Sequence, residues 1–453
     1  MQKNSFALIK SILFILSIGS LLFAESKPLV IGYYPSWNKY TYTSSDIPFE
    51  YLTNICHAFI FPYENGELDL NGFTENPELI QACHENEVKI SISVGGWDPE
   101  RTPRFTAMVI DSIARHRFVE NLTQFCLNYS YDGADIDWEY PPPDKQIYTS
   151  LLFQELHDAF SAVNPPLLLS IAAPSTDINN RYDWSVLNQV LDWIGVMTYD
   201  YYGSWTSKAG PNSPLYGNES TTDQGWIDHS VKHYLYDKGV LAEKLCIGIP
   251  FYGWEFKAST LFGPSTSAQQ RPYKEIYPLL QAGWTRHWDE TTHTPWLSNP
   301  DLTKIITYDD ETSITEKCSY ILNYGLAGTI IWALGQDYIG QSTPLLTVVG
   351  TELDSYIQTV NEAEIPVTTE LLPVYPNPFN AITSICFSLK NPTYVKLNVY
   401  NVQGQLIKAL SHDDFMPGVY KVTFQGFDIS SGLYFCTLET DWGIYTQKMV
   451  LLK

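Results

Sequence analysis

The sequence predicts an α/β chain: a (β/α)8 barrel with a small α+β insertion domain, followed by a C-terminal all-β sandwich. Three observations carry that expectation. Between Pro28 and Gly350, eight short β-branched or apolar runs alternate with helix-length amphipathic segments, the rhythm of parallel strands joined by crossover helices. One of the eight, "GADIDWEY" at residues 133–140, holds acids at every second position of an otherwise apolar run. After residue 372 the text alternates apolar and polar residues and is punctuated by Gly and Asn, the pattern of antiparallel strands with one buried face.

In chain order, residues 1–24, "MQKNSFALIKSILFILSIGSLLFA", set Lys3 and Lys10 in front of or within an apolar run that closes on small residues. That is the make-up of a secretory signal cut near Ala24. Glu25 rather than Cys follows the expected cut, which argues against a lipoprotein, and no second apolar span is expected to cross a membrane. Barrel strands are expected in "LVIGYY", "LTNICHAFIF", "VKISISV", "GADIDWEY", "LLLSIAAPS", "WIGVMTYD", "KLCIGIPFYG" and "AGTIIWAL". In such a barrel, chemistry gathers at the C-terminal ends of the strands. The stretch from about Trp254 to Asn299 is too long for a plain connection and is assigned to the insertion. Residues 351–372, with Glu, Thr and Pro and no clear period, are expected to be a linker, and residues 373–453 the sandwich.

Composition narrows the function. A net charge of −23 argues against nucleic acid and anionic membrane, which both demand a basic face, and suits a neutral ligand. The 13 Trp and 31 Tyr serve either core packing or platforms for sugar rings, and composition does not separate the two. Seven scattered cysteines form neither a disulfide framework nor a metal cluster and are expected mostly as buried apolar residues. His229 and His233 have the spacing of a zinc pair, but lack a neighbouring catalytic Glu and a third ligand, so an exposed helix face is expected. Neither metal nor cofactor is expected.

Because strand side chains alternate, Asp135, Asp137 and Glu139 are expected to face the barrel interior, with Glu139 nearest the open mouth, while Ile136 and Trp138 face the helices. Asp132 and Gly133 at the strand entrance read as structural. Burial and mutual repulsion must raise at least one of the three acid pKa values. A carboxyl still protonated near neutral pH is what a general acid requires.

At this point the chain resembles a known family. "DGADIDWEY" matches the DxxDxDxE signature of family-18 glycoside hydrolases, the chitinase family, at Asp132, Asp135, Asp137 and Glu139. "SVGGW" (Ser93 to Trp97), "MTYD" (Met197 to Asp200), "GLAGTIIWALGQD", "YGSW", "NSPLYG" and "IPFYG" are similar to further family motifs. The resemblance implies a TIM barrel whose substrate is chitin or chito-oligosaccharide, β-1,4-linked N-acetylglucosamine hydrolysed with retention. It implies that Glu139 protonates the glycosidic oxygen while the substrate's own 2-acetamido carbonyl attacks the anomeric carbon. Asp137 would hold the acetamido N–H, Asp135 would share a proton with Asp137, and Tyr199 and Asp200 would bind the same acetamido group. Tyr33, Phe59, Gly96, Trp97, Tyr140, Met197 and Tyr252 carry over as substrate-binding cleft positions, with Trp332 as the floor under the reacting sugar. Trp254 departs from the pattern: many members have Arg there, so stacking would replace a polar contact.

The insertion resembles the one that deepens the cleft in exo-acting or processive members. Chitin-binding lectins share the fold, but Glu139 is present here. Endo-β-N-acetylglucosaminidases and peptidoglycan hydrolases share the catalytic set, and the long insertion disfavours them. "YPNPFN", "VYNVQGQ", "SGLY" and "KMVLLK" resemble the C-terminal sorting domain of type IX (Por) secretion. That implies secretion machinery as partner and the cell surface or medium as destination; a carbohydrate-binding or fibronectin-like spacer is the alternative. A monomer is expected.

Overall fold

A computed structural model describes residues 27–217, 222–361, 368–415, 418–426 and 429–453. The expected signal segment lies outside them. Eight strands, Leu29–Pro35, Asn54–Pro62, Lys89–Gly95, Gly133–Asp137, Leu168–Ala173, Trp193–Val196, Leu245–Pro250 and Gly328–Trp332, are called barrel strands 1 to 8 below. Each pairs in parallel with the next, and strand 8 closes on strand 1 with Gly328 opposite Leu29. Buried on both faces, they are the near-continuous apolar runs that a parallel sheet covered by helices needs.

The helices are cut by local chemistry. The helix Ser112–Tyr129 begins where the Asp111 carboxylate accepts the backbone N–H of Ile113 and Ala114, and it buries Phe118, Leu122 and Phe125. The helix Glu311–Tyr324 starts at a capping box of Asp310 and Ser313 and stops at Gly325, whose φ of 61° suits glycine. Among the described residues no helix is long and apolar enough to cross a membrane.

After strand 7 the chain forms a five-stranded antiparallel sheet from Tyr252–Phe256, Ala268–Pro272, Thr285–Asp289, Thr294–Ser298 and Ile305–Thr307. It therefore extends beyond the expected Trp254–Asn299 at both ends. The reason is pairing: the segment leaving the barrel and the one returning are adjacent strands, with Ile305 opposite Phe256 and Thr307 opposite Trp254. Loop length alone does not reveal that bond.

The expected linker is also corrected. The helix packed after strand 8 spans Pro344–Asn361, running well into residues 351–372, with Leu345, Leu346, Val349 and Leu353 buried along one face. Further on, Glu370–Leu371 already pairs with Ile382–Leu389. Thr351 and Glu352, which look like the start of a linker, are exposed and half-buried on the outer side of that helix. A chain ending at Val349 loses Leu353 and about three helical turns, and should be destabilised by roughly 2–3 kcal/mol. One ending at Asn361 should match the barrel of the full chain in urea unfolding.

The C-terminal unit is two facing antiparallel sheets. One holds Glu370–Leu371, Ile382–Leu389 and Gly418–Gln425, the other Leu406–Phe415, Thr393–Asn401, Gly432–Thr440 and Gly443–Leu451. Ile385, Phe387, Leu397, Val399, Leu438 and Met449 form the core between them.

Candidate active site

Register builds the site's floor. In barrel strand 4, Asp135 lies directly opposite Ser93 of strand 3 and Ser170 of strand 5. Both hydroxyls donate to its carboxylate, at 2.9 and 2.7 Å, and the Tyr33 hydroxyl adds a third bond at 2.8 Å. Asp135 is fully buried and lies beneath the cleft rather than on its wall. Tyr33, expected as a cleft position, is buried there too, holding Asp135 and tilted against Trp332 at 5.8 Å. Its place at mid-strand, facing inward, puts it one layer too deep to meet a ligand.

Asp137 is one layer higher, opposite Gly95. Gly95 has φ 122°, and a Cβ there would stand 2.0 Å from the Asp137 carbonyl oxygen, so only glycine lets the two strands close. The carboxylate oxygen Oδ1 of Asp137 is buried with no hydrogen-bond partner among the described residues. The strand ends at Asp137, not at Glu139 as the alternating text suggests. The Gly96 N–H donates to the Asp137 carbonyl at 2.6 Å, and Pro141, Pro142 and Pro143 then leave the chain without donors to extend the ladder. Glu139 thus stands on the loop just past the strand and lines the cleft with Asp137. Ile136 and Trp138 face outward, Trp138 stacking on Phe105 at 5.0 Å.

Burial pushes Glu139 up to about 7, with the Asp200 charge adding to the rise and the Tyr140 phenol drawing it down. Burial, with Glu139 and Asp135 nearby, holds Asp137 well above the usual carboxylate range. Among the described residues the cation in the cleft lining is Arg101, which is bonded to Asp98 at 2.7 Å and lies over the Phe61 ring at 3.9 Å. Nothing there offsets the acid cluster.

Asp200 reaches the cleft through a left-handed turn, φ 58°. Sequence reading did not select the residue that holds it, Asn212. The Asn212 carboxamide oxygen accepts the Asp200 N–H at 2.9 Å, and its amide donates to the Tyr252 carbonyl at 2.9 Å. Next to it, Ser213 donates to the Thr198 carbonyl at 2.6 Å and accepts from Lys317, which is itself buried against Asp309. Oδ1 of Asp200 accepts from the Tyr252 hydroxyl at 2.7 Å and from the Trp254 indole N–H at 2.8 Å. Trp254 therefore does not simply exchange a polar contact for stacking: its N–H is a neutral donor to Asp200 and its ring meets Trp205 edge-on at 5.3 Å.

Around these acids lies a cleft of about 980 Å³. Phe59, Gly96, Trp97, Tyr140, Met197, Tyr199, Tyr252 and Trp332 all line it, Phe59 stacking on Trp332 at 5.6 Å. Trp37 and Trp205 line it as well, exposed like Trp97, and are not among the expected site residues; each follows the C-terminal end of a barrel strand, and Trp205 also closes the quoted "YGSW". The histidine pair is not simply an exposed face. His229 is exposed against Trp226, whereas His233 turns inward, accepting the Asp177 N–H at 3.2 Å and contacting Asp237 at 3.0 Å. Cys56, Cys83, Cys126, Cys246, Cys318 and Cys436 are buried thiols, and Cys386 is half-buried.

A family model described as glycosyl hydrolases family 18 matches residues 29–337, more than half of the chain. The chain belongs to that family. An endochitinase of Manduca sexta is 29% identical to this family-18 hydrolase over 400 residues, covering 76% of this chain and 70% of its own. Probable chitinase 2 of Drosophila melanogaster is 30% identical over 331 residues, 64% of this chain and 67% of that one. The crystal structure of Ostrinia furnacalis Group IV chitinase in complex with allosamidin superposes with a TM-score of 0.65 at 26% identity, over 72% of this chain and 99% of that one. Residues 373–452 match a secretion system C-terminal sorting domain, which assigns the family-18 hydrolase to type IX export, to the cell surface or the medium.

Proposed function

We propose that this hydrolase is a chitinase, cleaving β-1,4-linked N-acetylglucosamine polymers with retention through attack by the substrate's acetamido carbonyl. The observation that carries the reading is the buried, unpartnered Oδ1 of Asp137 beside the acid Glu139. An acetamido N–H entering the cleft supplies the donor that oxygen lacks, and the bond turns the carbonyl oxygen toward the anomeric carbon. Asp137 then stabilises the positive charge that develops on the oxazolinium ring, while Asp135, held by three hydroxyls, takes part in the proton balance beneath it. Glu139 donates its proton to the departing oxygen and later deprotonates water. Family-18 enzymes are exceptions to the scheme in which two enzyme carboxylates divide the roles of acid and nucleophile. The chitinase names of the relatives and the sugar-sized aromatic cleft support the substrate.

Three measurements test this. NMR of the first-formed product should show the β-anomer retained; inversion would remove the mechanism. Product analysis on chito-oligomers, glycoprotein glycans and peptidoglycan should show release from the first alone. The alkaline limb of kcat/KM should fall near pH 7, because Glu139, lifted to about 7, must be protonated to act and loses its proton above that pH.

A further inference from the structure

Behind the loop that carries the acid lies a second loop, residues 174–183, whose bonds converge on one side chain. Asp177, fully buried, gathers that loop: its carboxylate accepts the backbone N–H of Arg181 at 2.8 Å and of Tyr182 at 3.3 Å, and the Trp184 indole N–H at 3.0 Å. Gln146, opening the helix after strand 4, donates to the carbonyls of Asn180 and Tyr182 at 2.9 and 3.0 Å. The backbone that presents Arg181 is thus bonded on both sides. Its guanidinium reaches across to the acid's own loop, donating to the Pro141 carbonyl at 3.0 Å and lying over the Tyr140 ring with its carbon 5.6 Å from the centroid. Arg101, Arg104, Arg115, Arg271 and Arg286 each pair with a carboxylate, whereas among the described residues Arg181, like the exposed Arg117, has no ion pair and donates to a backbone carbonyl. Its contacts go to Tyr140 and Pro141, the two residues that follow Glu139.

We infer that Arg181 is a positioning residue for the proton donor: by clamping the Tyr140 ring and the Pro141 carbonyl, it fixes the two residues that follow Glu139 and so holds Glu139 on the cleft wall. The inference rests on Glu139 being the acid. A planar cation over an aromatic face, with one N–H spent on a carbonyl, fixes a ring in tilt and in height, which a single hydrogen bond does not. The phenol is what draws Glu139 down against its burial, so a loosened ring changes both the aim of the proton and its affinity. The groups facing Glu139 are Asp137 from strand 4, Tyr140 beside it, Tyr199 and Asp200 from the loop after strand 6, and Tyr182 from the loop behind. None of them is a cation that could take over from Arg181.

The test uses Arg181→Ala and Tyr140→Phe, singly and together, in the full chain, with kcat, KM and the pH profile of kcat/KM measured on a chromogenic chito-oligosaccharide. Arg181→Ala should lower kcat roughly tenfold through misplacement of the acid, leave KM within about a factor of two, and move the alkaline limb to higher pH, since loss of the phenol's bond favours the protonated acid. Tyr140→Phe should move the limb the same way, and the double variant should be no worse than the more damaged single one. Should Arg181→Ala fail to fold, Arg181→Lys, which keeps a donor for Pro141 but loses the flat stack, should show the same limb shift. A limb that stays in place, a loss confined to KM or thermal stability, or additive losses in the double variant overturns the inference. Activity surviving in Glu139→Gln would instead overturn the assignment of the acid, so the two failures are separable.

Discussion

Glu139→Gln is expected to lose turnover by roughly 10²–10⁴-fold while still binding chito-oligosaccharides. The amide has the shape of the acid and can accept the Tyr140 hydroxyl, so the cleft wall keeps its form. It cannot release a proton to the glycosidic oxygen, and its removal takes one acid out of a cluster where Asp137 and Asp200 also carry raised pKa values. Affinity for an unhydrolysed oligomer, measured by calorimetry, should therefore hold or improve as the repulsion among the carboxylates eases. Hydrolysis at near the parent rate would mean that another group in the cleft supplies the proton.

The second large effect is set by the substrate rather than the enzyme. Fully deacetylated chitosan and cello-oligosaccharides should resist cleavage, because removing the acetamido group removes the nucleophile together with the N–H that Asp137 Oδ1 lacks. An oxazoline-mimicking thiazoline should inhibit, since it presents the ring of the intermediate to the same carboxylate. Reducing-end release from each polymer, at equal concentration, measures the contrast. Efficient cleavage of cello-oligomers would require an enzyme carboxylate as nucleophile and would sink the proposed mechanism.

Much of this was legible in the residues. The alternation of Asp135, Asp137 and Glu139 with Ile136 and Trp138 is a local pattern, and period-two geometry alone puts the first two acids inside and Trp138 on the outer face. The motif around Met197 to Asp200 and the Trp332 of "GLAGTIIWALGQD" likewise sit at strand ends, where a barrel exposes its side chains. Reading stopped where a residue's role depends on what faces it from far along the chain. Asn212 opens the quoted "NSPLYG", but its role emerges only when Asp200 and the Tyr252 carbonyl come to either side of it. Tyr33 and Trp254 were seen but misplaced for the same reason.

By itself, then, the sequence determined the order of strands and helices, the two kinds of domain and the acids at the mouth, because hydrophobic period and motif spacing are written within a few residues. Only the tertiary structure decided that Asp135 is a buried support held by Ser93, Ser170 and Tyr33, that Trp254 serves Asp200 as a hydrogen-bond donor, and that Arg181 stands behind the acid. Each of those depends on strand register or on loop packing between segments about 35 to 100 residues apart. Such pairings are set by closure of the barrel and the fit of its loops, and a local pattern carries no record of them.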